Sequence, residues 1–317
     1  MLPSDSAFRT ALAAAFAAVF AAGAAPAQAP PAALQATLPD GRTMAYHCVG
    51  AGRVTVLFDT GLGLPMRSWA PVMNGVRRYA RACAYDRAGY PGSSPGPMPR
   101  DAAHAVADLH DLLRAADLQG PYILVGQSVG AFDVRLYADR YPKDVVGLVL
   151  VDPAFRDEAK AFAQASPAMA KELQQEANLK SLCIGALAKG KSWADNDPTY
   201  GVCGPAPQTD STDRARAIMS EESSANRSAD EAAQAHSSRP DLPVIVLTPE
   251  HARDNVPDMT RQEQAAVLQA AVQADEAIAN GYARGEQRTV TGSGQVIQTD
   301  RPNAVVSAVL EVLGQIR

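Results

Sequence analysis

The sequence has little of what marks a metal site, a nucleic-acid surface or a membrane span. Only 4 of its 317 residues are cysteine, and none forms a C-x-x-C pair, so a zinc site is not indicated. The 29 Lys and Arg residues are outnumbered by 34 Asp and Glu residues, which disfavours a basic surface for nucleic acid. The apolar run from Ala11 to Ala22 is too short to cross a bilayer, which takes about 20 helical residues, and no later run is long enough. With 47% hydrophobic and 20% charged residues, the composition is that of a globular protein with a sizeable core.

The first 29 residues predict export. Arg9 precedes the apolar run, and small residues in an A-x-A pattern follow it, as is typical of a secretory signal peptide. Cleavage after Ala24 and cleavage after Ala29 both remain open, and Pro30 makes the second site awkward. We therefore expect a periplasmic or extracellular protein without a stable membrane span after processing, with an uncleaved anchor as the alternative.

Export changes how the four cysteines are interpreted, because an oxidising compartment favours disulfides. Cys183 and Cys203 bracket a stretch rich in Gly, Pro and Asp that core burial has few means of fixing, so a bridge is predicted there. Cys48 and Cys83 then pair with each other, since both lie in segments typical of strands. Buried free thiols in each place are the alternative.

Strands alternate with helices along most of the chain, which predicts an α/β fold with a mostly parallel, doubly wound sheet. Residues 34–49 predict a hairpin, and the apolar segments that follow are typical of buried strands. The alternation breaks after Asp152 and resumes at residue 242. We therefore expect a core of residues 30–153 and 241–317, and a helical cap inserted at 154–240. In the predicted helix 101–117, His104, Asp108 and Asp111 share one face, which we interpret as solvated.

The chemistry is carried by Gly126-Gln127-Ser128-Val129-Gly130, a G-x-S-x-G sequence. It follows an apolar strand and opens a helix, the setting that lifts a serine Oγ into a cleft on a strained turn. Ser128 is therefore the predicted nucleophile, with a structural helix-capping serine as the alternative.

An alkoxide that attacks an ester produces an oxyanion, which needs backbone N–H donors. We expect one donor to be the N–H of Val129. The second is the N–H of Leu62, because Gly61 and Gly63 give that loop the freedom to turn inward. The alternative is that these glycines only form a tight turn.

The chain resembles capped α/β-hydrolases from about residue 34 to its C-terminus. The resemblance is carried by FDTGLG (58–63), CAYDRAGYPGSS (83–94), the segment around GQSVG (120–142), VVGLVLVDPA (145–154) and GSGQVIQTDRP (292–302). It implies about eight strands, a cap after the sixth, and a triad in the order nucleophile, acid, histidine.

The resemblance leaves the acid open. Asp152 ends the sixth strand, whereas Glu250 and Asp254 follow the seventh. We prefer Asp152, because its carboxylate is expected beside Ser128 at the carboxyl edge of the sheet. Asp86 and Arg87 in the DRAG loop are predicted to form a structural ion pair, with a role in shaping the site's mouth as the alternative.

The catalytic histidine is missing from its expected place, since the family's GSGH sequence is GSGQ here and Gln295 stands at that position. A carboxamide forms hydrogen bonds but does not accept a proton near neutral pH. His251 is the best substitute, because the loop after the seventh strand reaches the active-site edge. His236, in the predicted cap, is a weaker candidate.

These observations predict an exported serine hydrolase that cleaves an ester or similar acyl bond. The alternative is a catalytically impaired relative, its base lost at Gln295, that binds a small ligand. In both cases the expected partner is a small molecule and not nucleic acid. No cofactor or metal is implied, because the chain has no phosphate-binding glycine loop, haem motif or zinc cluster.

Overall fold

The computed structural model describes residues 33–188, 212–233 and 239–316. A sheet with the strand order β1-β2-β4-β3-β5-β6-β7-β8 runs through its centre. Its strands are β1 (Leu34–Thr37), β2 (Thr43–Val49), β3 (Thr55–Asp59), β4 (Arg81–Tyr85), β5 (Tyr122–Ser128), β6 (Val145–Pro153), β7 (Pro243–Pro249) and β8 (Arg284–Val290). The pairs β1–β2 and β2–β4 are antiparallel, and every other neighbouring pair is parallel. The predicted hairpin and the mostly parallel sheet are confirmed.

Helices cover the sheet on both faces. They are α1 (Ala70–Val76), α2 (Ala102–Ala115), α3 (Gly130–Arg140), α4 (Glu158–Ala165), α5 (Pro167–Ala188), α6 (Thr212–Ser223), α7 (Ala225–Ala233), α8 (Arg261–Asn280), α9 (Ile297–Asp300) and α10 (Pro302–Gln315). Helices α4–α7, here termed the inserted helices, lie in the sequence between β6 and β7, within the range predicted as a cap. No helix of the described segments is both long and apolar enough to cross a bilayer.

The core lies in two layers, one on each face of the sheet. One layer includes Leu109 and Leu112 of α2 with Phe132 of α3. The other layer includes Trp69, which directly precedes α1, and Val309 of α10. Every residue of β3 and of β7 is buried, which explains why these strands are continuous apolar runs in the sequence.

Cys48 and Cys83 form a disulfide, as predicted. They lie directly opposite each other on the antiparallel pair β2 and β4, with their Cα atoms 4.1 Å apart. The predicted bridge between Cys183 and Cys203, the predicted signal peptide and His236 lie outside the described residues and side chains.

The prediction of a solvated face on α2 is wrong for Asp108. This carboxylate is buried, and it accepts hydrogen bonds of 2.6 Å from Nη2 of Arg42 and from Nη2 of Arg100. Helical periodicity placed Asp108 away from the apolar stripe, but the two arginines come from other segments and cover it.

Candidate active site

Ser128 occupies a sharp turn between a strand and a helix. It is the last residue of β5, and α3 begins at Gly130. Its φ of +52° lies in the left-handed region, which is costly for a residue that carries a Cβ. The side chain is half-buried, so the serine is held in a strained conformation and remains within reach of solvent.

The two glycines of the motif are required by close packing. A Cβ on Gly126 would lie 2.5 Å from the carbonyl oxygen of Gly130 and 2.6 Å from Cγ2 of Val134. A Cβ on Gly130 would lie 2.7 Å from the carbonyl oxygen of Thr60. The turn around Ser128 therefore packs directly against the end of β3.

Residues 60–63, here termed the 60–63 loop, are tied to this turn through Gln127. The N–H of Gly61 donates a hydrogen bond of 2.8 Å to Oε1 of the buried Gln127 side chain. The N–H groups of Leu62 and Val129 donate no hydrogen bond to any described residue. Both groups therefore remain available to an acceptor from solvent or substrate.

Asp152 lies on the strand next to Ser128. In the β5–β6 register Ser128 is opposite Pro153, and the N–H of Ala154 donates to the carbonyl oxygen of Ser128 at 3.1 Å. Asp152 itself has a φ of +44°. Burial raises the pKa of its carboxyl group from 3.8 to about 7, the charge of Glu158 adds to the rise, and Arg253 opposes it.

Gln295 lies between β8 and α9, and α9 packs against β6. Its side chain is half-buried and forms no hydrogen bond with a described residue. The loop itself is fixed, because the N–H of Gly294 donates to Oδ2 of Asp300 at 2.9 Å. The side chain of Gln295 therefore has no hydrogen-bond partner among the described residues, whereas the backbone beside it is held by a hydrogen bond.

His251 is engaged by the other two candidate acids. Its Nδ1 is 2.7 Å from Oδ2 of Asp254, and its Nε2 is 3.1 Å from Oε2 of Glu250. The backbone N–H of His251 donates to the carbonyl oxygen of Ser293 at 2.8 Å. The His251 side chain is 48% exposed, and no described hydrogen bond or ion pair joins these three residues to Ser128 or Asp152.

The predicted ion pair between Asp86 and Arg87 is wrong. The carboxylate of Asp86 accepts a hydrogen bond of 2.7 Å from the N–H of Met66, and burial raises its pKa to about 6. Arg87 pairs with Asp59 and with Glu221 of α6 instead. Gln127 and Glu221 were not among the predicted site residues, because a glutamine or a glutamate is no motif in itself.

We expect Asp152→Asn to raise the melting temperature at pH 8 and to leave it unchanged at pH 4. The folded state holds the Asp152 proton more tightly than the unfolded state, so its carboxyl group makes folding less stable as pH rises from about 4 to about 7. Asparagine removes that penalty, and about 1 kcal/mol corresponds to roughly 2–4 °C for a chain of this size. Thermal unfolding of both proteins across this pH range measures the difference. Equal melting temperatures at pH 8 would contradict a raised pKa at Asp152.

Comparison with known proteins agrees with this architecture. Residues 56–309 match the model of the alpha/beta hydrolase family. The protein YqjL of Bacillus subtilis is 37% identical over 111 residues, which is 35% of this chain and 44% of that protein. The protein YbdG of the same organism is 25% identical over 36% of this chain and 35% of its own length. The chain thus matches less than half the length of these curated relatives.

Solved structures match over most of the chain. An esterase from Thermogutta terrifontis has a TM-score of 0.60 at 18% identity, covering 90% of this chain and 99% of the esterase. A loop variant of the haloalkane dehalogenase DbeA from Bradyrhizobium elkanii has a TM-score of 0.63 at 16% identity, covering 89% and 96%. These likenesses show the shared fold, and together with the family match over residues 56–309 they establish that the chain belongs to the alpha/beta hydrolase family.

Proposed function

We propose that the protein is a serine hydrolase that cleaves an ester or similar acyl bond through Ser128. The observation that carries the proposal is the strained φ of +52° at Ser128, on a turn that glycines at 126 and 130 allow to pack closely. Packing of the core does not require a serine at such a turn, whereas a nucleophile benefits from being raised above the strand ends.

The free N–H groups near Ser128 support acyl chemistry. Attack of Oγ on a carbonyl carbon leaves a negative charge on the carbonyl oxygen, which preorganised N–H donors stabilise. We assign this role to the N–H groups of Leu62 and Val129, which have no acceptor among the described residues. Val129 also precedes the first turn of α3, whose dipole favours negative charge.

The residue type at the turn separates two chemistries that occur on this fold. Both an esterase and a haloalkane dehalogenase are structural neighbours. A dehalogenase forms its ester intermediate on a carboxylate nucleophile, whereas this chain carries a hydroxyl at the turn. We therefore propose an acyl substrate, with the substrate's acyl group bonded to Ser128 in the intermediate.

We further propose that the protein acts outside the cytoplasm. The charged residue, apolar run and A-x-A pattern of the first 29 residues support export. The disulfide between Cys48 and Cys83 is compatible with an oxidising compartment.

Hydrolysis of short p-nitrophenyl esters by the mature protein tests the proposal. We expect slow but measurable turnover that Ser128→Ala abolishes, because the nucleophile is removed while the fold relaxes from a strained turn. Gln127→Ala is not a suitable control, since it detaches the 60–63 loop. Ser307→Ala is the matched control, because it removes the hydroxyl of an exposed serine of α10. Full activity in a folded Ser128→Ala protein would refute the proposal. If Ser128-dependent turnover is high, His251→Ala asks whether that imidazole supplies the base.

A second function is favoured by the state of the base. Gln295 stands where the resemblance implies histidine, and His251 is bonded to Asp254 and Glu250. A protein with this site would bind a small acyl compound, or be acylated by an activated one, without efficient turnover. If the unmodified protein shows no ester hydrolysis but binds such a compound, this function is favoured over hydrolysis.

A further inference from the structure

A buried arginine donates hydrogen bonds to the backbone of the 60–63 loop. Arg87 follows β4 and is 2% exposed. Its Nη1 donates to the carbonyl oxygen of Thr60, and its Nη2 donates to the carbonyl oxygen of Gly61 at 3.3 Å. Two successive carbonyls of the loop are therefore held by one guanidinium group.

This grip fixes where the loop's N–H groups point. The peptide bonds on either side of Gly61 are trans, so each N–H is directed opposite to the carbonyl of its own peptide unit. The N–H of Gly61 accordingly points away from Arg87 and reaches Gln127, the neighbour of Ser128. The N–H of Leu62 is also directed away from the guanidinium, but it has no acceptor among the described residues.

Arg87 is itself held by charges from two separate parts of the fold. From β3, Oδ1 of Asp59 lies 2.6 Å from its Nη1. From α6 of the inserted helices, Glu221 accepts from Nε and from Nη2, both at 2.9 Å. The Glu221 contact is bidentate, which fixes the plane of the guanidinium as well as its position.

The carboxylates of Asp59 and Glu221 are both buried, and each accepts a further hydrogen bond. The hydroxyl of Tyr85 donates to Asp59, and the hydroxyl of Tyr90 donates to Glu221 at 2.7 Å. The N–H of Gly63 donates to the Tyr90 oxygen at 2.9 Å. The 60–63 loop is therefore joined to α6 through Arg87 and through Tyr90, and directly by Arg214 of α6, whose Nη2 donates to the carbonyl oxygen of Gly63 at 2.8 Å.

We propose that Arg87 and Glu221 are positioning residues, which hold the 60–63 loop so that the Leu62 N–H is presented to the oxyanion. The position of the Leu62 N–H then depends on the packing of α6 against the core, because Glu221 belongs to the inserted helices and the loop belongs to the core. The inference rests on the proposed function for its catalytic consequence. A buried ion pair alone is weak evidence for stability. Here, however, the paired guanidinium group of Arg87 also donates hydrogen bonds to two carbonyls of the loop.

Two variants test the coupling, with one matched control. Glu221→Gln keeps the side chain's size but removes the charge that fixes the guanidinium plane. Arg87→Lys keeps the positive charge but loses the planar fork, so one ammonium group cannot hold both carbonyls and both carboxylates. Asp108→Asn is the control, because it removes an equally buried carboxylate that accepts from two arginines and contacts neither the loop nor Ser128.

The first readout is ester hydrolysis, corrected for the folded fraction. We expect Glu221→Gln and Arg87→Lys to lower kcat for p-nitrophenyl butyrate by about 100-fold with little change in KM, as expected when an oxyanion donor is misplaced. Asp108→Asn is expected to leave both constants unchanged. The double variant of Arg87 and Glu221 is expected to be no worse than Arg87→Lys alone, because both residues act through the same loop.

The second readout is amide hydrogen exchange of Gly61, Gly63 and Leu64, whose N–H groups are hydrogen-bonded and whose exchange does not depend on turnover. We expect exchange there to accelerate by about tenfold in both variants but not in the control, because the loop opens locally. Unchanged loop exchange and unchanged kcat in both variants would overturn the inference, as would equal acceleration in the Asp108→Asn control. If the native protein shows no Ser128-dependent hydrolysis, the proposed function fails, and loop exchange alone decides whether Arg87 and Glu221 hold the loop.

Discussion

Gln295→His is expected to raise kcat/KM for p-nitrophenyl acetate by about 1000-fold. A carboxamide cannot take the proton of Ser128, whereas an imidazole at this position accepts it and returns it to the leaving group. The Gln295 side chain is half-buried and has no hydrogen bond to lose among the described residues. The backbone on which the new side chain would stand is fixed by the bond from Gly294 to Asp300. Steady-state hydrolysis by the two proteins measures the gain.

Two controls separate catalysis by Ser128 from other effects of the new histidine. Ser128→Ala combined with Gln295→His is expected to be inactive; activity in this double variant would mean that the new imidazole hydrolyses the activated ester without the serine. Gln295→Asn must show no gain, since it alters the side chain without supplying a base. A folded Gln295→His protein with unchanged kcat/KM would contradict the placement of residue 295 at the base position. Such a result would direct attention to the cluster of His251, Glu250 and Asp254.

Much of the fold could be predicted from local sequence. Strands β3, β5 and β7 are buried on both faces and read as continuous apolar runs, so their positions and parallel order follow from the pattern. The break after Asp152 marks where the inserted helices begin. The disulfide between Cys48 and Cys83 could be predicted because both cysteines lie in strand segments.

The partners of the charged residues could not be predicted in the same way. Arg87 is bonded to Glu221, which is 134 residues away in the sequence, and no periodicity relates a core loop to a helix inserted after β6. Asp108 fits a solvated helix face by spacing alone, yet Arg42 and Arg100 cover it. Local sequence fixes which face of an element is apolar, but a buried charge depends on what a distant segment brings to it.

In the Gln295→His protein, Asp152→Asn is expected to remove the gained activity, lowering kcat/KM by about 1000-fold. Asp152 lies in β6, the strand paired with β5, next to Pro153, which lies opposite Ser128. Its carboxylate makes no hydrogen bond with a described residue and is therefore free to orient an imidazole. Glu250 and Asp254 are bonded to His251, and Glu250 also accepts from the N–H of Gly292 at 2.8 Å.

Glu250→Gln and Asp254→Asn in the same Gln295→His background are the matched controls, and each is expected to leave kcat nearly unchanged. A loss confined to Asp254→Asn would instead place the acid after β7 and remove Asp152 from the site. The raised pKa of Asp152 gives this comparison a physical basis, because burial disfavours its charge in the native protein. An imidazolium formed during the reaction would form an ion pair with Asp152, which has none among the described residues and is opposed only by the charge of Arg253. Asp152→Asn should therefore stabilise the fold at pH 8 and abolish the gained catalysis, the opposed effects expected of a carboxylate retained for chemistry and not for packing.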